Sequence, residues 1–162
     1  MISFGSFTGR VIGIQNVASG DFRDGCVQMF ELQNEEGILA RFIVSPDTYV
    51  LNQEMMAVGD IVTGYYDANA PMIMIYPPQY PALVMVKEHA DRQVKVSYFD
   101  TQLVSEDNWL ALNLDFSTQI VTTNGQAFME DPAGHHLVVV YGPSTKSIPA
   151  QTTPYQIVVL CQ

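Results

Sequence analysis

The chain has 162 residues, of which 48% are hydrophobic and 15% are charged, a composition typical of ordinary globular proteins. This apolar content excludes an intrinsically disordered chain, and the length allows one domain or two small ones. Seven basic against 17 acidic residues give a formal net charge of −10. We therefore expect no binding to nucleic acid and none to an anionic membrane, because both depend on clustered Lys and Arg.

The expected location is the cytoplasm. The first basic residue is Arg10, so no positively charged segment precedes an apolar run as in a secretory signal. The longest apolar stretch, residues 71–86, is interrupted by prolines and falls short of the ~20 residues of a membrane span. Only two cysteines are present, Cys26 and Cys161, whereas secreted scaffolds more often carry several pairs.

Strand patterns dominate, and no window contains a helical stripe. In the first half, Ile38, Ala40, Phe42 and Val44 alternate along the chain with Arg41 on the opposite face, which predicts a half-buried strand. Residues 45–51 favour a turn and a short strand, with a short capped helix as the alternative. The other strands predicted in this half are residues 10–14, 26–32, 61–66 and 82–86.

The hydrophilic segment 87–91 is interpreted as a linker between two units, residues 1–86 and 92–162. Beyond the linker, the strand pattern returns. The predicted strands there are residues 94–98, 110–114, 118–122, 137–141 and 157–160.

Three segments of the first unit recur, in the same order, in the second. Residues 45–50 resemble 115–120 at a spacing of 70, and residues 61–65 resemble 137–141 at a spacing of 76. Residues 83–86 resemble 157–160 at a spacing of 74, and in each unit the last two segments are joined by a loop that contains Pro and Gln. These spacings predict a degenerate internal repeat.

The first unit resembles an OB-fold: a first strand and a hairpin are followed by "VGDIVTGYYD" and by the closing strand "ALVMV". The expected architecture is therefore all-β, with two tandem OB-like small β-barrels. The whole chain resembles uncharacterised bacterial proteins that carry "FIVSPDTYVLN", "DANAPMIMIYPPQYPA" and "VVVYGPSTKSIPAQTTP". The second resemblance supplies a grouping and implies no activity.

The two Pro-containing loops are the predicted ligand-binding regions, because the connection between the last two strands of an OB barrel commonly grips ligands. Tyrosine suits such a site, since it buries a flat apolar ring while its hydroxyl stays hydrogen-bonded. The alternative is that each loop folds over an open barrel end and completes the core. The candidate residues are Tyr65, Asn69, Met72, Met74, Tyr76, Gln79 and Tyr80 at the first loop, and Tyr141, Ser144, Lys146 and Gln151 at the second.

No metal or cofactor is expected. Met72 and Met74 offer soft thioether ligands, but strand packing explains them better. His135 and His136 are consecutive in a predicted strand, so their side chains point to opposite faces. Nucleophile elbows and phosphate-binding loops are absent from the sequence.

These observations favour a non-enzymatic binding or interaction module for an unknown protein, peptide or glycan. The alternatives left open are a structural subunit of a larger assembly and an enzyme whose groups converge only in three dimensions. The oligomeric state stays open as well.

Overall fold

A computed structural model describes residues 1–18 and 24–161, and it shows an all-β chain. The chain divides into two compact units, unit 1 (Met1–Glu88) and unit 2 (His89–Gln162). The division falls inside the hydrophilic segment 87–91, although Lys87 itself ends a strand. Nowhere in the described ranges is a helix both long and apolar enough to cross a bilayer.

Unit 1 contains a seven-stranded sheet within its described residues. Its strands are β1 (Phe4–Asn16), β2 (Gln28–Gln33), β3 (Leu39–Val44), β4 (Tyr49–Val50), β5 (Ile61–Asp67), β6 (Gln79–Pro81) and β7 (Val84–Lys87), with a 3-10 turn at Leu51–Gln53 after β4. β1 serves two partners, because its residues 4–10 pair with β5 and its residues 10–16 pair with β2, both antiparallel.

The remaining pairings bring the end of unit 1 back to its beginning. β2 pairs antiparallel with β3, and β6 adds to β3 in parallel. After two further residues, β7 pairs antiparallel with β5, which is itself a neighbour of β1. The segment that carries β6 and β7 therefore runs from one edge of the sheet, β6, to β7, the strand next to the other edge strand, β4.

Unit 2 is built from shorter strands. They are β8 (Gln93–Phe99), β9 (Leu110–Leu112), β10 (Gln119–Thr122), β11 (His135–Tyr141), β12 (Ala150–Thr152) and β13 (Gln156–Leu160). β11 pairs antiparallel with both β8 and β13, while β10 pairs in parallel with β13 and β12 in parallel with β9.

Four strand pairings of unit 1 thus recur in unit 2 with the same order and direction. The pairs β1–β5, β5–β7, β4–β7 and β3–β6 correspond to β8–β11, β11–β13, β10–β13 and β9–β12. The hairpin through β2 is what differs. In unit 2 its place is held by the isolated bridges Phe99↔Ser105 and Val104↔Ala111.

The turn before the short parallel strand also has the same hydrogen bonds in both units. The Thr48 hydroxyl donates to the Ala82 carbonyl, and the Thr118 hydroxyl donates to the Pro154 carbonyl, both at 2.8 Å. Each threonine N–H also closes a turn on the residue three positions earlier, Ser45 in one unit and Asp115 in the other. Thr48 and Thr118, which are 70 residues apart, therefore occupy the same position in the two turns, as the sequence spacing predicts.

The other two sequence spacings are corrected by the strand registers. Tyr65 pairs with Val84, and Val140 occupies the corresponding place opposite Gln156, so the true spacings are 75 and 72 instead of 76 and 74. A shift of one residue moves a side chain to the opposite face of a strand. The counterpart of Tyr141 is consequently Tyr66, and Tyr65 corresponds to Val140.

Each unit has its own hydrophobic cluster. In unit 1 the largest fully buried side chain is Phe42, which lies so close to Gly64 that a Cβ there would sit 2.5 Å from its ring. The corresponding residues of unit 2 are Leu112 and Val139, both members of its core. At this place in the core, unit 1 combines the large Phe42 with Gly64, and unit 2 combines two residues of middle size, Leu112 and Val139.

Candidate functional site

The first loop, residues 68–78 between β5 and β6, is anchored where it begins. The Asn69 N–H donates to Asp67 Oδ1 at 2.9 Å, and its side-chain amide donates to the Met1 carbonyl at 3.2 Å. The Ala68 N–H adds a bond to the Ser3 carbonyl at 2.8 Å. Asn69, predicted as a ligand-binding residue, therefore fixes the base of this loop.

Tyr76 anchors the other end. Its hydroxyl oxygen accepts the Leu39 N–H at 3.0 Å, which ties the loop to the start of β3. Shortly before it, the Ile75 N–H bonds the Ile73 carbonyl at 3.0 Å and closes a tight turn around Met74. The loop is thus held at both ends and turns sharply between them.

Between the two anchors, residues 72–76 form an uninterrupted exposed apolar run, which we call the apolar loop. The exposed fractions are 42% for Met72, 78% for Ile73, 96% for Met74, 48% for Ile75 and 67% for Tyr76. Five consecutive apolar residues with this exposure are unusual, because exposed hydrophobic residues on a monomer are normally scattered singly. The strand packing expected for Met72 and Met74 is wrong, because both lie in the loop outside any strand and face water.

The tyrosines at the base of the loop do pack on the core. The rings of Tyr66 and Tyr80 stack with centroids 3.7 Å apart, and Phe42 lies 5.3 Å from Tyr80. Gly5 makes room for this arrangement, since a Cβ there would lie 2.5 Å from the Tyr66 ring. Burial, together with the hydrogen bond and charge of Tyr66, raises the pKa of Tyr80 to about 12.

Two further candidates of unit 1, Tyr65 and Gln79, differ in how exposed their side chains are. Tyr65 lies inside β5 and is only 8% exposed. Burial therefore removes Tyr65 from the candidate contact surface, which corrects its assignment as a ligand-binding residue. Gln79 begins β6 with an exposed side chain, paired in register with Arg41.

The second loop, residues 142–149 between β11 and β12, is closed by its own hydrogen bonds. The Thr145 N–H donates to the Gln151 carbonyl and the Thr145 hydroxyl accepts the Gln151 N–H, both at 2.9 Å. The Ser147 hydroxyl donates to the Pro149 carbonyl at 2.8 Å and lies 2.7 Å from the Thr145 hydroxyl. These bonds turn the loop back on the start of β12.

The other predicted ligand-binding residues of unit 2 are divided between this loop and the end of β11. Ser144 and Lys146 have exposed side chains within it. Tyr141 ends β11 and is partly buried, and its hydroxyl donates to Gln93 Oε1 at 3.3 Å. Burial and the nearby Asp107 carboxylate raise the pKa of Tyr141.

Three residues near Tyr141 are not among the predicted ligand-binding residues: Lys95, Asp107 and Trp109. Lys95 forms an ion pair with Asp107, and Asp107 Oδ1 also accepts the Ser105 hydroxyl at 2.7 Å and the Trp109 N–H at 3.1 Å. Burial opposes ionisation of Asp107, but these bonds outweigh it and lower its pKa. The sequence signal that could have found them is the polar turn before a lone tryptophan.

The apolar loop has acidic neighbours. Asp67 is the only charged residue in positions 67–86, and Glu35 and Glu36 lie in the turn just before Leu39, which Tyr76 contacts. The nearest arginine, Arg41, is paired with Glu31 at 2.7 Å. The surroundings of this loop therefore carry negative charge.

The histidines have structural contacts. His135 Nδ1 lies 3.2 Å from the Pro132 carbonyl and 3.1 Å from the Ala133 carbonyl, and the His136 ring packs edge-on against Tyr98. Across residues 1–18 and 24–161, no three His, Cys, Asp or Glu side chains converge as ligands of one metal ion.

No protein-family model matches this chain, and no curated protein and no solved structure shows significant similarity to it.

Proposed function

We propose that the chain consists of two OB-like barrels, degenerate copies of one β-unit, and that it is a non-enzymatic protein-interaction module. The support for the repeat is the recurrence of four strand pairings and of the threonine-closed turn. The order β1–β2–β3–β6/β7–β5–β1 is the order expected of an OB barrel. Unit 2 is then a shortened copy that has lost most of the β2 hairpin.

The observation that carries the interaction role is the apolar loop of unit 1. Contiguous exposed apolar patches mark contact sites, since water contact of so many methyl and thioether groups is unfavourable. Two anchored ends reduce the conformational entropy that the loop loses on binding.

The partner that suits this loop is a protein with an apolar groove bordered by basic residues. Methionine and isoleucine fill grooves of irregular shape, and Met in particular adapts its rotamers to the surface it meets. Asp67, Glu35 and Glu36 would face the basic border and accelerate association. A glycan would leave the four aliphatic side chains without an apolar counterpart.

A location in the cytoplasm belongs to the same proposal. Cys26 and Cys161 are both exposed free thiols. Exposed unpaired thiols suit a reducing compartment, where disulfides rarely persist.

A site-specific photo-crosslinker tests the interaction role. A benzophenone side chain replaces Met74 in the full chain, and the matched control carries it at Met129, which is 86% exposed in unit 2. In the host cell, we expect one discrete adduct from position 74 and none from position 129. The same pattern of products from both positions would refute the proposal.

A second variant links the adduct to the apolar side chains. Ile73→Ser in the position-74 crosslinking chain should reduce the adduct yield about tenfold, since loss of a central apolar contact costs ~1.4 kcal/mol or more. Light scattering of the purified chain tests the alternative that the protein is a structural subunit of a larger assembly. A discrete oligomer that Ile73→Ser dissociates would favour a structural subunit.

A further inference from the structure

Unit 2 has an exposed platform of a different chemistry from the apolar loop. Leu110 and Leu112 are buried, so the alternation along β9 places Trp109, Ala111 and Asn113 on the outer face of the β9–β12 pair. Trp109 is 59% exposed. On β12 the side chain of Gln151 lies on the same face, because Gln151 is paired in register with Ala111.

The platform also carries the side-chain amides of Asn113 and Gln151, which are bonded to each other. Asn113 Nδ2 donates to Gln151 Oε1 at 3.3 Å, and the Asn113 N–H donates to the Thr152 carbonyl at 2.8 Å, which fixes the strand beneath it. The bond between the amides uses one donor and one acceptor. The Asn113 Oδ1 acceptor and the Gln151 Nε2 donors can therefore bond a ligand.

The spacing of these groups suits one sugar ring. Strand geometry separates Trp109 from Ala111 by ~7 Å and neighbouring strands by ~5 Å, which places Gln151 roughly 8 Å from Trp109 along the diagonal. Ala111, whose side chain is short, lies between Trp109 and Asn113 along the chain and opposite Gln151 in the strand register. A pyranose lying over Ala111 would reach both.

We propose that this platform binds a neutral β-linked oligosaccharide of gluco configuration. The axial C–H groups of such a ring form a flat apolar face that packs on the indole of Trp109. Its equatorial hydroxyls both donate and accept hydrogen bonds, and so do the amides of Asn113 and Gln151. Asp107, whose carboxylate accepts the Trp109 N–H, is paired with Lys95, so this end of the platform offers no uncompensated charge to attract phosphate or sulfate groups.

Trp109 is the only tryptophan of the chain, so its fluorescence reports on this site alone. The full chain is titrated with cellotetraose, laminaritetraose and chitotetraose as probes, and with a proline-rich peptide as a competing ligand class. We expect a saturable change in Trp109 emission with at least one tetrasaccharide at millimolar concentration. No saturable change with any of the three, or a saturable change with the peptide alone, would overturn the proposal.

Matched variants separate this site from the rest of the molecule. Gln151→Ala should weaken binding roughly 3- to 10-fold, the range expected for loss of one hydrogen bond. Gln79→Ala, the corresponding change in unit 1, should leave it unchanged. Trp109→Ala should abolish the heat of binding in calorimetry, and its exposed position leaves folding intact, as circular dichroism would verify. Equal affinity of Gln151→Ala and the wild type would also overturn the proposal.

Discussion

The first loop (68–78) follows β5 and the second loop (142–149) follows β11, and the two loops differ in what they expose to water. The first loop turns five apolar side chains to water and spends its hydrogen bonds on its two ends. The second uses the hydroxyls of Thr145 and Ser147 to satisfy its own backbone. Both loops lead into a short strand of a parallel pair, yet one exposes apolar side chains and the other closes on itself. The second loop closes because the hydroxyls of Thr145 and Ser147 lie within reach of its backbone.

A second contrast lies where the cores meet these loops. Phe7, Phe42, Tyr66 and Tyr80 of unit 1 correspond by register to Lys95, Leu112, Tyr141 and Thr152 of unit 2. Unit 1 therefore has an aromatic cluster where unit 2 has a charged and hydrogen-bonded one.

Exchange of the paired core residues gives the largest expected effect. Gly64→Val in unit 1 should lower the free energy of unfolding by about 2–3 kcal/mol, because the new side chain collides with the Phe42 ring. Adding Phe42→Leu, which recreates the Leu112 and Val139 pair of unit 2, should restore much of the loss. Chemical denaturation measures the coupling, and additive effects of the two changes would contradict the correspondence.

The turn threonines should both contribute to stability. Thr48→Val and Thr118→Val each remove a 2.8 Å hydrogen bond to a carbonyl, so each should cost ~1 kcal/mol in the free energy of unfolding. Thr48→Val should cost more, because the Thr48 hydroxyl also accepts the Ser45 N–H at 3.0 Å. Thr123→Val provides a comparison at a position outside this turn. A cost at one threonine and none at the other would show that the shared turn contributes differently to the two units.

The ion pair of unit 2 should make the effect of one substitution depend on pH. Because the pKa of Asp107 is lowered in the folded chain, its contribution is present above the ordinary value of 3.8 and is lost as the pH falls through the folded value. Asp107→Asn should therefore reduce stability at pH 7 by less than about 1 kcal/mol, since the pair is partly exposed, and the difference should shrink below pH ~4. Thermal unfolding across this pH range measures it, and a constant difference would exclude a role for the charge.

Tyr80 should give the smallest effect, one visible in an absorbance titration. Its raised pKa means that the folded chain favours the neutral phenol, so the associated stability is full below pH 10 and is lost as the pH approaches 12. Tyr66→Phe removes the hydrogen bond and the neighbouring charge and should lower the pKa of Tyr80. Ultraviolet absorbance of the phenolates follows this directly. Thr152, the counterpart of Tyr80, leaves unit 2 without this titration.

Local patterns predicted the main strands but missed their partners. β1 begins at Phe4 instead of residue 10, because its first half places small residues between two phenylalanines three positions apart and so lacks the period-two alternation of a strand. That half is a strand because β5 pairs with it. β6 and β12 are three residues long and lie beside prolines, so their sequences carry no periodicity. Both exist because a parallel neighbour holds them.

The candidate residues show the same limit. Asn69 and Tyr76 were found from composition, but their role as anchors depends on Met1 and Leu39, which are far away in sequence. Tyr65 was chosen for its residue type, whereas the structure places its neighbour Tyr66 against Tyr80 and the core at the base of the loop. Asp107 and Trp109 meet within one local turn, whereas Lys95 reaches Asp107 from a strand 12 residues earlier in the sequence.

The sequence by itself determined that this chain is built of strands, that it is acidic, and that similar segments recur in the same order, because these properties follow from residue type and spacing along the backbone. Tertiary structure alone decided which tyrosine faces the core, which loop exposes its apolar side chains and which polar groups meet. Those outcomes depend on strand register and on hydrogen bonds between distant residues, and a shift of one residue reverses them.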